Sequence, residues 1–163
     1  MSWRPAIDLA LFSVDHSVLG RPLSPSDAFH AHFESSDVLD LPDDGIEVGT
    51  ADSLLDYAVV TIDAFKGRFF VHGSQVVLAR RHTPLDIEAK FGAPYWTDRS
   101  DDEILLFYEY RRGTVELQFE FSDAIHLSHV SMMRNGVLSG KTQREYYRVT
   151  APWPPDVDEP LRR

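Results

Sequence analysis

The chain has 163 residues, 43% hydrophobic and 26% charged, a composition that excludes a disordered or collagen-like chain and supplies core for one domain or two very small ones. It contains no cysteine, which excludes disulfides, thiolate metal sites and cysteine nucleophiles. The formal net charge of −10 argues against a nucleic-acid partner, because phosphate binding draws on Lys and Arg. Apolar runs such as Ile104 to Tyr108 are too short to span a bilayer. The opening Met1-Ser2-Trp3-Arg4-Pro5 lacks the apolar region of a signal peptide, so a cytoplasmic location is expected.

In chain order, the first informative feature is the placement of charge. Between Pro22 and Phe65 there is no Lys or Arg, while Asp27, Glu34, Asp37, Asp40, Asp43, Asp44, Glu47, Asp52, Asp56 and Asp63 all fall there. Those ten carboxylates equal the whole net charge. A solvated loop that keeps the protein soluble is the plain reading; a docking surface for a basic partner is the sharper one. The spacing does not match a calcium loop.

Two segments then share one construction. Ser24-Pro25-Ser26-Asp27 and Thr83-Pro84-Leu85-Asp86 each offer an N-cap hydroxyl, Pro at the first helical position and an acid two residues later. Phe29 and Phe33 follow the first and Ile87 and Phe91 the second, at a spacing that buries one stripe of a short helix. Gly92 and Pro94 stop the second helix.

Strands are predicted at Leu54 to Ile62, Arg68 to Val71 and Gln75 to Ala79 in the first half. In the second half they are predicted at Ile104 to Tyr110, Val115 to Phe121 and Ile125 to Met133. Val115, Leu117, Phe119 and Phe121 alternate with polar residues, as in a half-buried antiparallel strand. The apolar phase slips between Leu127 and Val130, which predicts a bulge near Ser128 and His129. A late strand is predicted at Arg144 to Thr150, before the Pro-rich Ala151 to Pro155, which cannot pair in a sheet. Helix followed by three strands thus occurs twice, the reading of a tandem repeat. The expected division is 1–80 as the first unit with the acidic stretch, 81–155 as the second, and 156–163 as a tail.

The segment Thr83-Pro84-Leu85-Asp86-Ile87-Glu88-Ala89-Lys90-Phe91-Gly92-Ala93-Pro94 resembles the helix and Gly-x-Pro turn of small bacterial α+β domains of the SmpA/OmlA and β-lactamase-inhibitor-protein types. The succession FYEY, turn, ELQFEF also resembles immunity proteins of bacterial polymorphic toxin systems. The resemblance covers Arg81 to Met133. It implies a helix packed on a curved antiparallel sheet, in two tandem units for the inhibitor type, and binding without catalysis. With neither a signal peptide nor a cysteine, intracellular protein binding is expected over secreted inhibition or lipoprotein function.

Residues suited to catalysis are scattered. His30 and His32 are two apart on a predicted helix and point in different directions. His126 and His129 fall on opposite faces of a strand unless the bulge joins them. His16, His72 and His82 sit near turns. There is no Gly-x-Ser-x-Gly elbow and no Gly-rich phosphate loop. The aromatic residues point to binding, since Tyr and Trp are preferred interface anchors, although a single ring of this kind ordinarily packs under a helix or against Trp153.

The expectation is therefore an α+β fold of two similar units, each a short helix packed on an antiparallel sheet, the sheets able to merge into one curved surface. The expected function is stoichiometric neutralisation of a basic toxin domain, by a protein that is not an enzyme and needs no cofactor or metal. Asp37, Asp40, Asp43, Asp44, Tyr95, Trp96, Tyr108 and Tyr110 are the expected partner-binding residues. A small hydrolase or metal-dependent enzyme using His and carboxylates, and a non-catalytic assembly module, are the alternatives.

Overall fold

The computed structural model describes residues 3–154, so the expected tail lies outside the described residues. The fold is α+β in two similar units, each joining a helical segment to antiparallel strands, and the chain divides between Arg80 and Arg81.

The first unit begins with three short strands, β1 (Ala6–Asp8), β2 (Ser13–Val14) and β3 (Ser17–Val18). A 3-10 helix (His30–Glu34) follows, then β4 (Val38–Leu41), a 3-10 turn (Pro42–Asp44), β5 (Ile46–Ala51) and β6 (Leu54–Thr61). The hairpin of β7 (Arg68–Val71) and β8 (Ser74–Val76) closes the unit. One sheet runs in the order β3-β2-β1-β7-β8, with β1 and β7 parallel and the other pairs antiparallel. Strands β4, β5 and β6 form an antiparallel meander.

Three expectations need correction here. No α-helix starts at Ser24; the segment is a series of turns leading into the 3-10 helix. The Ser24 hydroxyl pairs with Ser26 Oγ at 2.8 Å, and the acid expected in the first turn is engaged by the preceding strand. The buried Asp27 carboxylate accepts from Ser17 Oγ at 2.5 Å and from the His16 backbone N–H at 3.0 Å, and Ser24 N–H donates to Ser17 Oγ at 2.9 Å. The acidic stretch is not a loop, because β4, β5 and β6 run through it. Nor are all strands antiparallel, since Ala6, Ile7 and Asp8 lie beside Arg68, Phe69 and Phe70 in parallel register.

Asp8 ties that parallel pair to both neighbouring turns. It is 6% exposed, and its carboxylate accepts from the backbone N–H groups of Ala10, Leu11, His72 and Gly73 at 2.6–3.1 Å. His72 and Gly73 both have positive φ, 50° and 76°, the backbone of a tight two-residue hairpin turn.

The second unit opens with α1 (Pro84–Phe91), then β9 (Trp96–Arg99), β10 (Ile104–Tyr110), β11 (Val115–Phe121) and β12 (His129–Arg134) in an antiparallel meander. Thr83 caps α1 as expected. Its Oγ1 accepts from Asp86 N–H, and the Asp86 carboxylate accepts from Thr83 N–H at 2.8 Å. Removing the hydroxyl with Thr83→Ala should cost about 1 kcal/mol, read from the denaturant midpoint; an unchanged midpoint would show the cap to be dispensable.

Strand β10 is buried on both faces. On one, Leu106 and Tyr108 join Leu117, Phe119 and Met132 beneath Ile87 and Phe91 of α1. On the other, Leu105 and Phe107 pack with Leu138 and Trp153, flanked by Tyr95, Trp96 and Tyr147. This second layer comes from a 3-10 turn (Val137–Ser139) and α2 (Lys141–Tyr146). The strand expected at Arg144 to Thr150 is therefore wrong: residues 141–146 are helical. Arg144 secures the arrangement by donating to the carbonyls of Leu138 and Ser139 at 2.8 and 2.9 Å, with its guanidinium 4.8 Å from the Trp153 ring centre.

No register shift interrupts the β11–β12 pairing, and the expected irregularity sits at its edge, where Ser128 N–H donates to Glu120 O at 2.8 Å beside the Glu120–His129 pair. Residues 122–126 form a turn in which Asp123 Oδ1 accepts from Ile125 and His126 N–H, and β12 starts only at His129, directly opposite Glu120. The slip in apolar phase marks the beginning of the strand.

Candidate functional site

Strands β4, β5 and β6 place the acidic residues on one sheet face. Ile46, Val48, Ala58 and Val60 point inward and are buried, so their alternate neighbours Asp40, Glu47, Gly49, Tyr57 and Val59 share the opposite face. Asp40 stands directly across from Glu47. Like charges opposed in an antiparallel pair destabilise a sheet, and no Lys or Arg between Pro22 and Phe65 offsets them.

Tyr57 joins this pair from β6. It lies opposite Gly49, where a Cβ would sit 2.0 Å from its ring, so the missing side chain lets the phenol lie flat and donate to Glu47 Oε1 at 2.5 Å. Burial, the Glu47 hydrogen bond and the charges of Glu47, Asp56 and Asp40 push its pKa up to about 12. The phenol thus stays a donor throughout the physiological range, inside a negative field.

The expected acidic residues occupy three settings. Asp40 is exposed on β4, Asp43 and Asp44 lie in the following 3-10 turn, and Asp37 precedes the strand. Asp44 pairs with Lys66 at 3.2 Å. Gly45, at φ 68°, turns the chain into β5 so tightly that a Cβ would overlap the Phe65 backbone. Among the described residues no hydrogen bond or ion pair reaches the side chains of Asp37, Asp40 or Asp43. Glu47 and Tyr57 complete the face; their signal in the sequence is the Glu-x-Gly alternation of β5.

The expected aromatic residues lie in the second unit with internal partners. Tyr108 is buried, and its hydroxyl donates to Gly92 O at 2.8 Å. Tyr95 donates to Ala151 O at 3.0 Å and Trp96 Nε1 to Tyr147 O at 3.2 Å, so both hold the segment that carries Trp153. Tyr110 is half-buried at the end of β10.

The histidines are dispersed. His16 Nδ1 lies 2.8 Å from Asp27, His126 Nδ1 2.7 Å from Asp123 and His129 Nδ1 3.4 Å from Glu120. The His126 backbone N–H, its ring and the Ile125 N–H hold the Asp123 carboxyl far below the ordinary range. Among the described residues no three His, Asp or Glu side chains are arranged to hold a metal ion.

No protein-family model matches the chain, and no curated protein matches it as a relative. One solved structure, a DUF4309 family protein (YjgB) from Bacillus subtilis, is similar at a TM-score of 0.39 and 16% identity, over 71% of this chain and 72% of that one. A likeness of that degree bears on neither partner nor ligand.

Proposed function

We propose that the chain is a non-catalytic protein-binding module whose acidic β4–β5–β6 face docks a basic protein surface. The observation that carries this is the Asp40–Glu47 pair, two carboxylates opposed across one rung with no cation from their own stretch of chain. A basic partner relieves the repulsion and is steered to the face by its field. Following the resemblance to immunity proteins, the partner is a basic toxin domain, occluded one to one. Such a role needs affinity and orientation, which a charged sheet face supplies without a catalytic group.

The test is a pull-down with the product of the adjacent gene, followed by binding kinetics at two salt concentrations. Changing Asp37, Asp40, Asp43 and Asp44 together to Asn should slow association about tenfold at low salt. The effect should shrink at high salt, with dissociation changing less. The single change Asp40→Asn should raise stability by about 0.5 kcal/mol, since it removes the like-charge rung. An unchanged association rate, or a basic domain that does not bind, would overturn the reading.

A further inference from the structure

Beside the start of β4 lies a cavity of about 300 Å³ lined by the apolar Pro22, Leu23 and Phe33 and by the polar His30, Glu34 and Asp37. Its walls are held in place. Pro22 bridges to Leu54, and Asp37 O accepts from Thr50 N–H at 2.9 Å. His32 Nε2 lies 2.7 Å from Val38 O, which fixes the 3-10 helix against β4. The Phe33 ring packs edge-on against the buried Phe29 at 6.0 Å. In a 3-10 helix residues three apart eclipse one another, so His30 and Phe33 share a face, with Glu34 next to them.

Extending the acidic-face reading, on which this inference rests, we propose that the cavity is the anchor site for one arginine side chain of the basic protein partner. Among the described residues the side chains of His30, Glu34 and Asp37 have no hydrogen-bond or ion-pair partner, and no Lys or Arg lies between Pro22 and Phe65. The three are not arranged to hold a metal ion, so the complementary ligand is an organic cation with an apolar stem. A guanidinium meets both demands. It is planar, forks onto carboxylates and packs on aromatic rings, while its methylenes cover apolar surface such as Leu23 and Pro22. A lysine ammonium is more strongly hydrated and gains less from an aromatic lining residue such as Phe33. The volume lies at the small end of ligand pockets, the size of one long side chain.

The test uses the full chain and three probes in an NMR titration: N-acetyl-arginine methylamide, its neutral citrulline counterpart and a nona-arginine peptide. The arginine probe should give saturable shifts at His30, Phe33 and Thr50. Its affinity should fall at least about tenfold in the double variant Glu34→Gln, Asp37→Asn, whose melting temperature serves as the folding control, and the citrulline probe should leave these signals unmoved. Equal responses to arginine and citrulline, or no response at the cavity, would overturn the anchor site. If nona-arginine then binds wild type and double variant alike, with shifts at Asp40 and Glu47, the acidic face stands and only the anchor fails. Failure of nona-arginine to bind at all would remove both.

Discussion

Replacing Asp8 by alanine is expected to cost about 3 kcal/mol of folding stability, since hydrogen bonds to a charged group contribute roughly 1.5–3 kcal/mol each and surface turns can rehydrate part of the loss. The carboxylate gathers four backbone donors from two turns separated by more than sixty residues of chain. Asp8→Asn should lose nearly as much, because the new amide presents a donor where the turn needs an acceptor. Burial by itself would raise the Asp8 pKa, but the N–H groups of Leu11, Gly73, Ala10 and His72 outweigh it and hold the carboxyl below its ordinary value of 3.8. A depressed folded pKa gives stability that is present above the unfolded value and lost as pH falls through the folded one. The gap between wild type and Asp8→Ala, measured by urea unfolding, should therefore be full at pH 7 and narrow below about pH 4. A gap that does not change with pH would remove the charged carboxylate from the explanation.

What the sequence reveals about this fold depends on where the determining contacts lie. Helix α1 was legible because everything that defines it is local: the Thr83–Asp86 capping box, Pro84, the Ile87 and Phe91 stripe and Gly92 are contained in ten residues. Strands β10 and β11 were legible for the same reason, being a long apolar run and a clean alternation joined by one turn. Ser24 to Phe33 carries nearly the same local pattern and yet forms turns that end in a 3-10 helix, because Ser17 in the preceding strand engages the Asp27 carboxylate and the Ser24 backbone N–H. Local capping chemistry cannot reveal that a distant hydroxyl outcompetes the helix. The α2 segment failed in the opposite direction. Tyr146 and Tyr147 suggest a strand, but Arg144 reaches back to the carbonyls that end the Val137–Ser139 turn, and Lys141 and Glu145 stand at helical spacing.

The acidic surface was partly legible. The absence of Lys and Arg from Pro22 to Phe65 is visible in the sequence, but which carboxylates share a face is a matter of register. Pairing puts Glu47 opposite Asp40 and Tyr57 over Gly49, while Asp27 is buried in a turn and held by Ser17 and His16. A count of charges treats all ten carboxylates alike. The structure gives them different settings: a buried turn lock at Asp27, a phenol hydrogen bond at Glu47, ion pairs at Asp44 and Asp63, and no side-chain partner among the described residues at Asp37, Asp40 and Asp43.

Gly136→Ala is expected to destabilise the second unit by about 3 kcal/mol, the upper range for overpacking. Gly136 has φ −58°, which alanine adopts freely, so the penalty comes from close approach. The added Cβ would lie 2.1 Å from Glu116 Cβ and 2.4 Å from its Cδ. Glu116 cannot withdraw cheaply. It is 2% exposed, its carboxylate accepts from Val137 N–H at 3.1 Å and Leu138 N–H at 2.9 Å, and Gln118 Nε2 donates to it at 2.5 Å. Moving it would strand the donors that begin the turn carrying Leu138, and with it the packing over Phe107 and Trp153. The same burial raises the Glu116 pKa, with Gln118 and the two backbone donors pulling it only partly back. For a carboxyl raised in the folded state, the protonated form's contribution is present below the unfolded value of 4.5 and lost as pH rises through the folded value. Wild type should therefore lose stability relative to Glu116→Gln as pH rises from 4 to 8, measured by chemical denaturation across that range. A difference that is flat with pH would show that Glu116 does not change its protonation on folding, and a Gly136→Ala variant as stable as wild type would show that the turn can move away from it.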